Sequence, residues 1–115
     1  MGRLTTHVLD TASGRPGAGI EVRLYSTGSD RRLVATARTN ADGRTDGPLL
    51  EGAALGSGTY ELEFLVGPYF EDSGAELSDP PFLDTVVIRV GLEAGRHYHV
   101  PLLVSPWGYT TYRGS

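Results

Sequence analysis

Three histidines, one arginine at a turn and a polar, aromatic tail are the parts of this 115-residue sequence whose types and spacing could do chemistry. His7 lies in an alternating stretch where Leu4, Thr6 and Val8 form the core-facing set, so its imidazole points away from the core. His97 and His99 stand two residues apart in a second alternating stretch and share one face, which Pro101 and Leu103 continue. Taken singly, each imidazole reads most simply as a surface group. Three at strand positions of so small a chain favour a site more than one does, because histidine changes charge near neutral pH and serves as acid, base or metal ligand. The pair at i and i+2 could take zinc with a third ligand, but no carboxylate or cysteine spacing supports this. No metal and no other cofactor is expected. A Ser-His-Asp triad lacks its Gly-x-Ser-x-Gly elbow.

Arg44 directly follows the Asp42-Gly43 turn. A guanidinium held there is either a solvated loop charge or a fork for a planar, anionic or carbonyl-rich ligand. The last seven residues, Tyr-Thr-Thr-Tyr-Arg-Gly-Ser, are unusual for a chain end. Ends normally fray and carry little information. This one reads either as an edge strand that pairs with another chain or as a wall of a ligand site.

The elements that must position these groups are strands. Period-two alternation runs through residues 4–10, 20–25, 33–39, 60–66, 85–92 and 96–105, with a last strand at 109–113 and a short one within 45–50. Asn40-Ala41-Asp42-Gly43, Gly56-Ser57-Gly58 and Glu93-Ala94-Gly95 are turns. Gly67-Pro68 should break the fourth long strand, and residues 69–77 hold the only helix the pattern allows before Pro80-Pro81. Seven to eight strands with turn signals about every ten residues make an all-β, antiparallel β-sandwich with one short helix.

Composition bounds the rest. The length fits a single domain spanning residues 1–115, with room for one core. Apolar residues make up 39% and charged residues 21%, a globular balance. The net charge of −4 argues against a nucleic-acid partner. The absence of cysteine excludes a disulfide scaffold, a thiol nucleophile and thiolate metal ligation. No apolar run approaches the ~20 residues that span a bilayer, so no membrane partner is expected. All ten cations are arginine.

Four blocks carry a resemblance. Thr6-His7-Val8-Leu9-Asp10-Thr11 with Gly14-Arg15-Pro16, then Thr39-Asn40-Ala41-Asp42-Gly43-Arg44, then His97-Tyr98-His99-Val100-Pro101-Leu102-Leu103, and finally Tyr112-Arg113-Gly114-Ser115 resemble the signatures of the 5-hydroxyisourate hydrolases, the transthyretin-related proteins. They stand in that family's order and cover essentially the whole chain. The closing tetrapeptide is the specific one, since it separates these hydrolases from transthyretin-type hormone carriers. The resemblance implies a transthyretin-like sandwich and hydrolytic opening of 5-hydroxyisourate to 2-oxo-4-hydroxy-4-carboxy-5-ureidoimidazoline in urate degradation. It implies His7, Arg44 and His99 as the catalytic trio and Tyr112, Arg113, Gly114 and Ser115 as substrate-binding. It also implies a homotetramer, a dimer of dimers, with sites between dimers, and a cytoplasmic bacterial enzyme. His97 takes a supporting or surface role. The competing readings are a non-enzymatic binder of small molecules of the thyroid-hormone type and a generic sandwich module for adhesion. His7, Arg44, His99 and the tail argue against both.

Overall fold

Period-two alternation becomes two stacked sheets in the computed structural model, which describes residues 1–114. In β1 (Arg3–Asp10), Leu4, Thr6, Val8 and Asp10 are buried and the residues between them are not. The same alternation marks β3 (Glu21–Thr27), β6 (Gly58–Leu65) and β7 (Thr85–Leu92). Successive side chains of a strand point to opposite faces, so each strand gives one row to the core. Leu4, Val8, Val100, Leu102 and Val104 from one sheet meet Val22, Leu24, Leu62, Phe64, Val86 and Ile88 from the other.

The first sheet has the order β2-β1-β8-β9, with β2 (Arg15–Pro16), β8 (His97–Ser105) and β9 (Gly108–Thr111), and β5 (Leu50–Glu51) pairs with β1. The second runs β4-β3-β6-β7, with β4 (Arg31–Arg38). Among the described residues every ladder is antiparallel except one: β1 and β8 run parallel, with Thr5 opposite His99 and His7 opposite Pro101. This exception builds the site. It lays Arg3, Thr5 and His7 beside His97 and His99 on the outer face of one sheet, while Thr6, Val8, Val100 and Leu102 turn inward.

The helix departs from its expected place. It is α1 (Val66–Asp72), not residues 69–77, and Gly67-Pro68 sits inside its first turn instead of breaking the chain. The first helical N–H groups have no intrahelical partner, so proline costs nothing there. Gly67 lies flush against Asp84 and donates its N–H to the Asp84 carbonyl at 2.8 Å. Phe70 seals that end of the core. A short 3-10 turn, Gly52–Ala54, and the two-residue β2 fall where only loop was expected.

Tyr69 ties the helix to the end of β1, donating its hydroxyl to Asp10 Oδ2 at 2.8 Å. Asp10 also accepts the backbone N–H groups of Ala12 and Ser13 and the Ser13 hydroxyl. Burial pushes this carboxyl up, but the four hydrogen bonds outweigh it and hold it below its ordinary value. The Tyr69 phenol is pushed up to about 12 by burial and by its bond to Asp10. Asp10 thus stays an anion and pins β1 three residues beyond His7.

On the outer face of the second sheet the arginines are spent on carboxylates. Arg31 pairs with Glu61 and Glu63, Arg89 with Glu61, and Arg23 with Glu21. Such exposed pairs contribute little individually. Among the described residues, neither Arg3 nor Arg44 has a carboxylate within salt-bridge distance.

Candidate active site

Arg44 is delivered by a loop wound around Asn40. The Asn40 side-chain oxygen accepts the backbone N–H groups of Asp42 (2.9 Å) and Arg44 (3.2 Å), and the Asn40 N–H donates to the Arg44 carbonyl at 2.7 Å. An asparagine that caps its own turn is the usual reason for this residue type at a loop start. Gly43 closes the loop with φ +77°, a left-handed conformation that side chains disfavour. Its carbonyl accepts the Val8 N–H at 2.8 Å, and a Cβ there would collide with the Val8 carbonyl. Gly43→Ala is therefore expected to destabilise the fold by about 1–3 kcal/mol and to displace Arg44. Chemical denaturation measures the first effect; a variant as stable as the parent would mean that the loop is not anchored here.

The same loop holds His7. An isolated antiparallel bridge joins His7 to Arg44, and His7 Nε2 lies 3.0 Å from the Asp42 carbonyl. A carbonyl oxygen only accepts, so Nε2 carries the proton and Nδ1 is the free lone pair of neutral His7.

His99 comes from β8, next to His7 across the sheet, with ring centroids 6.5 Å apart and planes tilted by 38°. Its Nδ1 lies 2.8 Å from Thr5 Oγ1. Its other flank rests on the chain end: Gly114 donates its N–H to the His99 carbonyl at 2.7 Å, and a Cβ on Gly114 would come within 2.9 Å of His99 Cδ2. Gly114 therefore brings the chain end back against the histidine. Burial, then the charge of Arg44, then His7 push the His99 imidazole below its ordinary value of 6.5. The ring is accordingly neutral, with a lone pair to offer, at neutral pH.

Arg44 and His99 line an open cleft of about 480 Å³ together with Arg3, Thr5, His97 and Tyr98, and His7 stands beside it. A second hollow of about 310 Å³ adjoins it between Arg3, Thr5, Arg44 and residues 45–48. The structure thus brings together His7, Arg44, His99 and Gly114, and places His97 at the cleft's edge with its side chain exposed. Tyr112 and Arg113 go elsewhere within one chain. Both line a neighbouring apolar groove of about 340 Å³ between β7 and β9. Arg113 also stacks its guanidinium 4.8 Å above the Tyr98 ring and donates to the His97 carbonyl at 3.2 Å. Ser115 lies outside the described residues. Among those residues no group of three histidine, cysteine, aspartate or glutamate side chains is arranged to hold a metal ion.

Arg3 and Thr5 are the members that sequence reasoning overlooked. The signal was available, since both share the alternating face of His7. An arginine and a threonine near a chain start carry no mark of chemistry until β8 is set beside them.

An open cleft lined by Arg3, Arg44, His97 and His99, with His7 beside it and Asp46 in the adjoining hollow held by the Asn40 side-chain amide, suits a small, planar, acidic molecule and a general acid–base reaction. Comparison with known proteins bears on the family. The model of the HIUase/Transthyretin family matches residues 4–114. The chain is 59% identical to 5-hydroxyisourate hydrolase 2 of Rhizobium meliloti over 116 residues, covering 99% of this chain and 97% of that protein. It superposes on the structure of Klebsiella pneumoniae 5-hydroxyisourate hydrolase with a TM-score of 0.83 at 34% identity, over the full length of both chains. It is also similar to sea bream transthyretin, solved in complex with thyroxine, with a TM-score of 0.87 at 26% identity over 97% of this chain and 94% of the other.

Proposed function

Since the chain belongs to the HIUase/Transthyretin family, we propose that it is a hydrolase that opens the six-membered ring of 5-hydroxyisourate in urate degradation. The observation that carries this reading is the convergence of His7, His99 and Arg44 on one sheet face. Its counterpart is the 59% identity to a 5-hydroxyisourate hydrolase across almost the whole chain. The carboxyl and ureido groups of the product are the two ends of the broken carbonyl–nitrogen bond. Water must therefore add to that ring carbonyl, and the ring nitrogen must leave with a proton.

Each role falls to a group whose geometry suits it. Neutral His99 takes the proton of the attacking water. Arg44 forks the substrate's anionic edge and stabilises the charge that develops on the carbonyl oxygen. His7, with a proton on Nε2 and its Nδ1 free, accepts a hydrogen bond from the water and orients it, and the His99 imidazolium gives the proton it took from the water to the leaving nitrogen. Arg3 adds a second cation at the cleft rim, which helps to collect an anion.

The open cleft of a single chain also supports the homotetramer. β7 and β9 each end their sheet with an unpaired edge, flanking the groove that Tyr112 and Arg113 line. Pairing those edges with a second copy makes the dimer. Stacking the histidine faces of two dimers closes the cleft, so that each site, with Tyr112, Arg113 and Ser115 in its wall, draws on more than one chain. A cytoplasmic bacterial enzyme remains the expected setting.

Purified protein is expected to accelerate the ultraviolet decay of 5-hydroxyisourate generated in situ by urate oxidase. A decay equal to the spontaneous one, accompanied by saturable thyroxine binding, would replace the hydrolase with the carrier. The pH profile is a separate check. The pKa of His99 is lowered, so its base form persists through neutrality and is lost only below the ordinary imidazole range. kcat/KM should be flat above about pH 6.5 and fall as pH drops through a midpoint below it. A midpoint above 6.5 would assign the base to another group.

A further inference from the structure

We infer that Thr5 is a positioning residue that holds the proton of neutral His99 on Nδ1, leaving Nε2 as the ring's free lone pair in the cleft. The hydroxyl of Thr5 has one proton and two neighbours: the Tyr98 carbonyl at 3.4 Å and His99 Nδ1 at 2.8 Å. The carbonyl can only accept. One arrangement satisfies both contacts: Thr5 donates to Tyr98 O, and His99 Nδ1–H donates to Thr5 Oγ1. The reverse arrangement aims the hydroxyl at Nδ1, forgoes the carbonyl and moves the ring proton to Nε2.

The surroundings of the ring leave it little freedom to evade this choice. Thr5 is β-branched and stiff at χ1, and the parallel β1–β8 register sets it directly opposite His99. Gly114 packs on the Cδ2 edge, where even one added carbon would crowd it. A ring flip would push Cδ2 toward Thr5 and forfeit the hydrogen bond. Among the described residues Nε2 has no partner. The neighbouring His7 is held in the opposite tautomer by the Asp42 carbonyl. Two adjacent imidazoles therefore carry fixed and different proton positions, each set by a neutral oxygen acceptor and neither by a carboxylate. That pattern gives each ring one defined acceptor nitrogen without raising its basicity, as a carboxylate partner would.

The proton position rests on geometry alone, whereas its consequence for turnover rests on the hydrolase reading above. The test is nitrogen NMR on full-length protein labelled with ¹⁵N-histidine, at a pH above the ring titration, with His99→Gln assigning the signal by its disappearance. In the parent, Nδ1 should resonate as the protonated nitrogen and Nε2 as the bare one. Thr5→Val, which keeps the shape and removes the oxygen, should shift the balance toward protonated Nε2. It should lower kcat roughly ten- to a hundred-fold and move the acid limb to lower pH. Thr5→Ser should restore the tautomer and most of the rate, an outcome that loss of packing alone does not explain. A parent ring protonated on Nε2, or a Thr5→Val variant with either tautomer or kcat unchanged, overturns the proposal. If the parent shows no hydrolysis at all, the hydrolase reading fails, and the NMR comparison still judges the role of Thr5.

Discussion

His99→Asn is expected to lower kcat by roughly 100- to 10,000-fold, the range of a single well-placed general base, while leaving KM and the fold nearly intact. Asparagine is the informative replacement. Its amide can still donate to Thr5 Oγ1, where Nδ1 sits now, and its smaller side chain relieves the contact with Gly114. What it removes is the second ring nitrogen. The backbone bonds around this position survive, since the β1–β8 ladder and the Gly114 N–H bond to the His99 carbonyl involve no side-chain atom of His99. Steady-state kinetics with thermal unfolding as the control makes the measurement. The internal comparison is His97→Ala. His97 belongs to the same strand, face and cleft, but its side chain is exposed and, among the described residues, no hydrogen bond fixes its ring. Its loss should cost only a small fraction of the effect at His99. Equal losses at both positions would mean that period-two reasoning identified the face and that the wrong histidine was chosen from it.

The difference between those two histidines shows what a sequence of this kind makes legible. Alternation told which way each side chain points: His7 outward, with Leu4, Thr6 and Val8 inward, and His97 and His99 on a common face. It told this because the face of a strand residue is a local property of the pleat. Which strand lies beside which is not local. β1 and β8 are 94 residues apart at the Thr5–His99 contact, and nothing near Thr5 announces that a parallel neighbour will bring a histidine against its hydroxyl. Hence the face that Arg3 and Thr5 share with His7 was readable, while their place in the site needed the β1–β8 pairing.

The helix start was missed for a different reason. Gly67-Pro68 is a breaker inside a strand or a helix interior but fits a first turn, and only the docking of Gly67 on Asp84 decides which applies. In the tail the strand rule itself lapses. β9 ends at Thr111, so alternation no longer dictates that Tyr112, Arg113 and Gly114 take opposite sides in turn. The chain instead turns Tyr112 and Arg113 toward the β7–β9 groove and returns Gly114 to the His99 backbone. Residue types in the four motif blocks supplied the candidates, and long-range pairing decided which of them meet within one chain.

Arg44→Lys should lower kcat/KM by about 100- to 1,000-fold, the loss expected when a preorganised donor to a developing oxyanion is removed, with no measurable change in stability. The stability half follows from where Arg44 spends its bonds. Its N–H goes to the Asn40 side chain and its carbonyl takes the Asn40 N–H. Its bridge to His7 is backbone as well, while the guanidinium is exposed and, among the described residues, has no carboxylate partner. The activity half follows from shape. Lysine keeps the charge but replaces a planar fork by a point donor, so a substrate gripped through two parallel hydrogen bonds loses one of them and its orientation. Arg44→Ala separates charge from shape through His99. The Arg44 cation is one cause of the lowered His99 pKa, after burial. Removing it makes the imidazolium easier to form, so the acid limb of Arg44→Ala should move up toward the ordinary imidazole value, whereas that of Arg44→Lys should stay in place. Added guanidinium should restore part of the Arg44→Ala rate by refilling the fork. Full activity in Arg44→Lys would show that a point charge suffices and that the fork contributes nothing. An unmoved acid limb in Arg44→Ala would show that burial alone sets the charge state of His99.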